Sequence, residues 1–122
     1  NLEPGEKVKV ALDTTSEISF VRNDYHSTII CPASILARAI GVAPYAVAAS
    51  RYYWLQTHGK CAVLADTSSV ALVDGGMCVA SNAVAGAVEG YDEDGTANLA
   101  IVGEVIRASA DTEYALIFLK IE

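Results

Sequence analysis

Apolar residues recur along this chain in short runs cut by turn-forming clusters, the punctuation of strands rather than of helices. Val8–Leu12 and Ile18–Val21 are β-rich runs separated by Asp13-Thr14-Thr15-Ser16, and a turn at Asn23-Asp24 precedes a third run, Ser27–Cys31. Ala33–Val42 is ambiguous. Ile35, Leu36, Ala39 and Ile40 fall at helical spacing, but Gly41 and Pro44 close the segment within ten residues, so a strand ending in Ala37–Ala43 is preferred over one short helix.

The stretch YYWLQTHGKCAVLAD reads as a hairpin, Tyr52–Gln56 against Lys60–Ala65 around Thr57-His58-Gly59, with Gly last in the turn where a positive φ is needed. On its strands Tyr52, Trp54 and Gln56 share one face, and Tyr53 and Leu55 the other. Asp74-Gly75-Gly76 marks a turn into a strand at Met77–Ala80, Ser81-Asn82 precedes another at Ala83–Val88, and Asp92-Glu93-Asp94-Gly95 is a solvated loop. The longest strands are Leu99–Ile106 and Glu113–Ile121, joined through Ala108–Thr112.

Those last two strands carry the main functional signal. In Glu113–Ile121, Ala115, Ile117, Leu119 and Ile121 alternate with Tyr114, Leu116 and Phe118, so both faces are apolar. Leu99–Ile106 repeats this, with Leu99, Ile101 and Val105 opposite Ala100, Val102 and Ile106. A strand with one wet face should alternate apolar and polar residues, and a strand apolar on both faces needs a second cover. With at most one short helix in the chain, the simplest cover is another copy. The expected fold is mainly β, a small antiparallel β-barrel or β-sandwich. Tyr52, Trp54, Tyr114, Leu116 and Phe118 are its expected oligomer interface.

At 122 residues the chain is long enough for one compact domain. No uncharged stretch reaches the roughly 18 residues of a membrane-spanning helix. A net charge of −7 with eight unclustered Lys and Arg leaves no basic stripe for phosphates, so neither nucleic acid nor an anionic membrane surface is an expected partner. Cys31, Cys61 and Cys78 are odd in number, form no CxxC pair and sit among apolar neighbours, the setting of buried free thiols in a reducing compartment. The chain opens on Asn rather than Met, so its start is expected to differ from the translated one.

Catalytic and ligand motifs are sparse. Neither a nucleophile elbow, a P-loop, a dinucleotide-binding turn nor a zinc-protease helix is present. Cys31 with His26 or His58 is the one nameable nucleophile–base set, and nothing flanking it supports that use. The two histidines have no Cys or carboxylate at ligand spacing, and Asp92–Gly95 misplaces the Gly of a calcium loop, so neither metal nor cofactor is expected. The acidic residues Asp13, Glu17, Asp24, Asp66 and Asp74 fall mostly at turns, where no two are selected as an acid–base pair. Tyr52, Tyr53 and Trp54 also form a candidate sugar-stacking platform.

The stretches RAIGVAPYAV, YYWLQTHGKCAVLAD, SNAVAGAVE and IVGEVIRASADTEYALIFLKI resemble tailed-bacteriophage capsid decoration, or cement, proteins. The family's pattern is a G-V-A strand, an aromatic Y-x-W-x-Q-x-x-G hairpin, a V-x-S…G-A-V hairpin and a closing V-G-x-V…E-Y-x-L-V-x-L pair; the match covers about residues 38–121, with Ile117 standing where the pattern has Val. The resemblance implies a non-enzymatic virion structural protein, commonly a homotrimer, made in the host bacterial cytoplasm and bound to the capsid exterior. It would clamp major capsid protein subunits without a cofactor. Residues 38–122 would then be the decoration module and residues 1–37 an N-terminal arm or its first strands. The alternative is a receptor- or glycan-binding module of a phage fibre, using Tyr52, Tyr53 and Trp54.

Overall fold

A computed structural model describes residues 13–15, 17, 23–33, 38–93 and 100–121. The fold is mainly β, and the described residues contain no helix. Five strands, β1 (His58–Leu64), β2 (Met77–Ala80), β3 (Val88–Gly90), β4 (Ile101–Arg107) and β5 (Tyr114–Lys120), form one antiparallel sheet ordered β1-β5-β4-β2-β3. The sheet is open, but the chain leaving β1 reaches its far edge: Asp66 N–H donates to the Val88 carbonyl and Gly90 N–H to the Val70 carbonyl, each within 3.1 Å.

The core lies on one side of this curved sheet. Ala115, Ile117 and Leu119 of β5 are buried there, with Cys61 and Val63 of β1, Val102 and Val105 of β4, and Cys78 and Ala80 of β2. Period-2 alternation fixes this register, because β5 sits between β1 and β4 and each paired row must share a face. Two bulges on β4 adjust it. One residue inserted between the partners of Cys78 and Val79 turns both Val102 and Gly103 inward, and another, Ile106, separates Val105 from Arg107. Strict alternation therefore misassigns β4: Val102 and Val105 share the core instead of facing apart.

Met77–Ala80 is a strand as expected, and the two C-terminal strands form within a residue or two of the expected bounds. The expected hairpin does not form. β1 pairs along its whole length with β5, while Gln56 makes an antiparallel bridge to Val42. The local turn signal is outweighed by β5, a seven-residue apolar partner. Gly59 nevertheless has the expected positive φ, 89°, as a kink at the start of β1 rather than a hairpin end.

Ala83–Val88 is also corrected. The Ser81 hydroxyl accepts the Ala83 and Val84 amides at 3.0 and 2.8 Å, winding that segment into a turn and delaying β3 to Val88. Asn23 does make its turn, its side chain accepting the Tyr25 amide at 2.9 Å, but Ser27–Cys31 follows without strand pairing. Of Ala37–Ala43, only Val42 pairs among the described residues. Val8–Leu12, Ile18–Val21 and residues 34–37 of the ambiguous 33–42 segment lie outside the described residues.

Candidate functional site

The outer face of β5 lies opposite the core. Tyr114, Leu116, Phe118 and Lys120 point outward, with Leu64, Ala62, Lys60 and His58 of β1 in register beside them. Tyr114 is 72% exposed and Leu116 36% on a central strand, where an outward apolar side chain normally finds a cover. Phe118 is half-buried because its neighbours close over it. The His58 ring meets it edge-on at 5.2 Å between centroids, and Lys120 reaches Glu104 at 2.7 Å across the same face. The apolar surface thus narrows to Tyr114, Leu116, Ala62 and the half-buried Leu64.

Tyr52 and Trp54 lie on the segment before β1 and are almost wholly exposed, at 106% and 83%. Their neighbours anchor them from the other side. The Tyr53 hydroxyl bonds Thr28 Oγ1, and Gln56 bridges Val42 in both directions at 2.8–2.9 Å. Tyr45 Oη accepts the Trp54 amide at 3.3 Å. The segment therefore holds the alternation expected of a strand without its partner, and Tyr52 and Trp54 are held outward. Of the five expected interface residues, three share one face of β5 and two stand on this separate anchored segment.

Asp66 and Glu89 form a second, buried feature, each 1% exposed. Asp66 lies where the chain leaving β1 meets β3. Its Oδ1 accepts the Ser68 amide at 3.0 Å and hydroxyl at 2.5 Å, and its Oδ2 accepts the Ser81 hydroxyl at 2.5 Å. The Ser68 and Ser81 hydroxyls hold its carboxyl below the usual range, against the opposing effect of burial. Because Ser81 Oγ in turn receives two amides after β2, this carboxylate clasps the exit of β1 to the exit of β2. Every described bond to it comes from a turn amide or a serine hydroxyl, and the Ser81 hydroxyl that Asp66 engages is itself buried, so the cluster is a structural clasp.

Glu89 is different. One carboxyl oxygen is buried with no hydrogen-bond partner, and burial, with the nearby Asp66 charge adding to it, raises its pKa against the Asn82 amide. A folded pKa above the unfolded one means stability is greatest below the ordinary glutamate range, about pH 4.3, and declines as pH rises toward the folded value. Glu89→Gln is expected to flatten that decline, so that unfolding free energy measured by urea titration changes less between pH 4.5 and pH 7 than in the wild type. An unchanged pH slope would show that Glu89 is not the group responsible. Sequence reading missed this residue. Its signal was a single carboxylate inside the apolar run AVAGAVEGY.

The nucleophile–base set does not assemble. Cys31 Sγ lies 4.0 Å from the Pro32 carbonyl, and none of its described contacts reaches a histidine. His26 Nδ1 instead pairs with Ser27 Oγ at 2.9 Å, and His58 packs on Phe118. Burial raises the Cys61 thiol and pushes Cys78 up to about 11, so both are protonated and unreactive at neutral pH. Among the described residues, no three His, Cys, Asp or Glu side chains lie together as a metal site, and no helix is long and apolar enough to cross a membrane. An open groove lined by Ala71, Val73, Met77 and Tyr91 has Glu93 as its one titratable side chain besides the tyrosine.

No protein-family model, curated protein or solved structure matches this chain.

Proposed function

We propose that this chain is a non-enzymatic virion structural protein that self-associates and seats on the outside of a bacteriophage capsid, clamping major capsid protein subunits and stabilising the head. The carrying observation is the outer face of β5: Tyr114 and Leu116 stand outward from a central strand, flanked in register by Leu64 and Ala62, with both residues still accessible. The mainly β fold, and the resemblance of residues 38–121 to capsid decoration proteins, support the same reading. Covering a few hundred Å2 of apolar surface at roughly 25 cal/mol per Å2 contributes several kcal/mol per chain before association costs. Repeated over the many sites of a capsid, that opposes the internal pressure of packaged DNA.

The test is co-sedimentation of purified protein with capsids of the virus that encodes it. The expected result is saturable, stoichiometric binding and raised heat resistance of the particles. Protein left in the supernatant at every concentration would overturn the reading. Leu116→Glu places a charge on the uncovered face and is expected to weaken association by about 30-fold or more, as measured by light scattering, because a carboxylate buried without a partner costs about 2 kcal/mol or more. Its circular dichroism should match the wild type, since Leu116 is outside the core.

A second reading rests on Tyr52 and Trp54, held outward by anchored neighbours. In that reading the chain is a glycan- or receptor-binding module of a phage fibre. Loss of glycan-array binding in Trp54→Ala, with assembly intact, would favour it over the clamp.

A further inference from the structure

Among the described residues, one carboxyl oxygen is both buried and without a hydrogen-bond partner, Oε2 of Glu89 on β3. Val88 packs into the core, so strand alternation turns Glu89 to the opposite face, in register with Val79 of β2. Val79 and Glu89 are each 1% exposed. The groups that act on the Glu89 carboxyl come from two elements. The Asn82 amide, after β2, donates to it, and Asp66, after β1, sets a negative charge near it. Asp66 does not take up a proton in its place, because its bonds from Ser68 and Ser81 all favour the charged form.

This carboxyl is sealed at the weakest-held end of the sheet. β3 has three residues and lies between β2 and the segment 66–71. Asp66 N–H donates to the Val88 carbonyl at 2.8 Å, and Gly90 N–H to the Val70 carbonyl at 3.1 Å. A Cβ on Gly90 would lie 2.3 Å from the Ala71 carbonyl oxygen, so the segment lies directly on the strand. By contrast, β1 pairs with all seven residues of β5, and β5 pairs in turn with β4. Ionised Glu89 would be a second buried negative charge beside Asp66, with one oxygen lacking a donor, and only water can supply that donor. Parting β3 from the segment 66–71 admits water while leaving the long ladders intact, so it is the least disruptive route.

We propose that β3 and the segment 66–71 form a proton-held latch, closed while Glu89 is protonated and parting when it ionises, with β1, β5 and β4 still paired. On opening, the Glu89 carboxyl gives its proton to water and its carboxylate turns into solvent. The Val88 and Val70 carbonyls exchange their amide donors for water in the same step. The sign follows from the closed form holding the proton. The opening constant rises by about tenfold per pH unit above the ordinary glutamate value near 4.3, and levels off once the closed form has also lost its proton. Any event that exposes Glu89 gives global stability a pH slope. The latch adds that the exposing event precedes unfolding and is confined to one edge.

The test is native-state amide hydrogen exchange of the full chain at pH 4.5 and pH 7, with and without low urea. Each rate is corrected for the intrinsic pH dependence of exchange. The Asp66 and Gly90 amides, which bond across the latch, are compared with those of the β1–β5 ladder. At pH 7 the latch amides are expected to exchange at least tenfold faster than the ladder, with no acceleration by low urea, the mark of a local opening. At pH 4.5 their corrected rates should fall at least fivefold, and Glu89→Gln should remove that pH dependence. Latch amides that exchange at the ladder's rate, with its urea dependence, would show that the edge opens only with the whole molecule and would overturn the proposal. Corrected rates equal at the two pH values would overturn it as well. So would a folded Glu89→Gln that keeps the wild-type pH dependence. If Glu89→Gln does not fold, the wild-type series decides alone.

Discussion

Gly103→Ala is expected to cost about 3–5 kcal/mol of stability and to lower the thermal midpoint by roughly 12 °C or more. Gly103 is opposite Leu119 on β5 and Cys78 on β2. A Cβ built there would lie 2.1 Å from the Phe118 carbonyl oxygen, 2.9 Å from its carbon and 3.0 Å from the Leu119 Cα. All three are backbone atoms of the central strand, so no change of rotamer relieves the overlap. β4 has to move away from β5, and the buried Ile117, Leu119, Val102 and Val105 lose packing together. Urea and thermal unfolding followed by circular dichroism measure the effect. A loss below about 1 kcal/mol would mean that β4 and β5 separate without disturbing the core.

Asp66→Ala is expected to be the second large loss, about 3 kcal/mol at neutral pH. It strands the buried Ser81 hydroxyl, removes both bonds to Ser68 and unfastens the clasp between the exits of β1 and β2. Ser81→Ala alone removes one of these bonds, so the double variant should fall short of the sum by about 1 kcal/mol or more, the mark of a shared network. The pH dependence has a definite sign. Because Asp66 titrates below its unfolded value, its stabilisation is fully present above about pH 3.9 and is lost as pH falls through the folded value. Asp66→Ala should therefore lose most of the acid limb of the stability curve. An acid limb as steep as the wild type's would assign acid sensitivity elsewhere. Glu89 acts in the opposite sense, so the wild type should be most stable in the mildly acidic range between the two.

Strand content was legible where sequence pattern and long-range pairing agree. Met77–Ala80 and the two C-terminal strands combine turn residues at both ends with β-rich interiors, and the structure places them as the pattern does. The segment Tyr52–Ala65 was legible as alternation and as a glycine with positive φ, but its partner was not. A hairpin signal weighs only neighbours, whereas β1 gains more by lying along all of β5. The candidate interface was legible as apolar excess on β5 and as exposed rings at Tyr52 and Trp54. The acidic clasp was only half legible, because Asp66 looked like any turn aspartate and nothing local ties it to Ser81, fifteen residues on.

By itself the sequence determined a mainly β chain with apolar residues on both faces of its last strand, because side-chain period and turn chemistry are local properties of the backbone. Only the tertiary structure decided which face became the core, which strand β1 lay against and which carboxylates were sealed from water. Those outcomes follow from pairing between residues far apart in the chain. Bulges at Val102 and Ile106 and the crossing of the segment after β1 to β3 set that pairing, and no local window contains them.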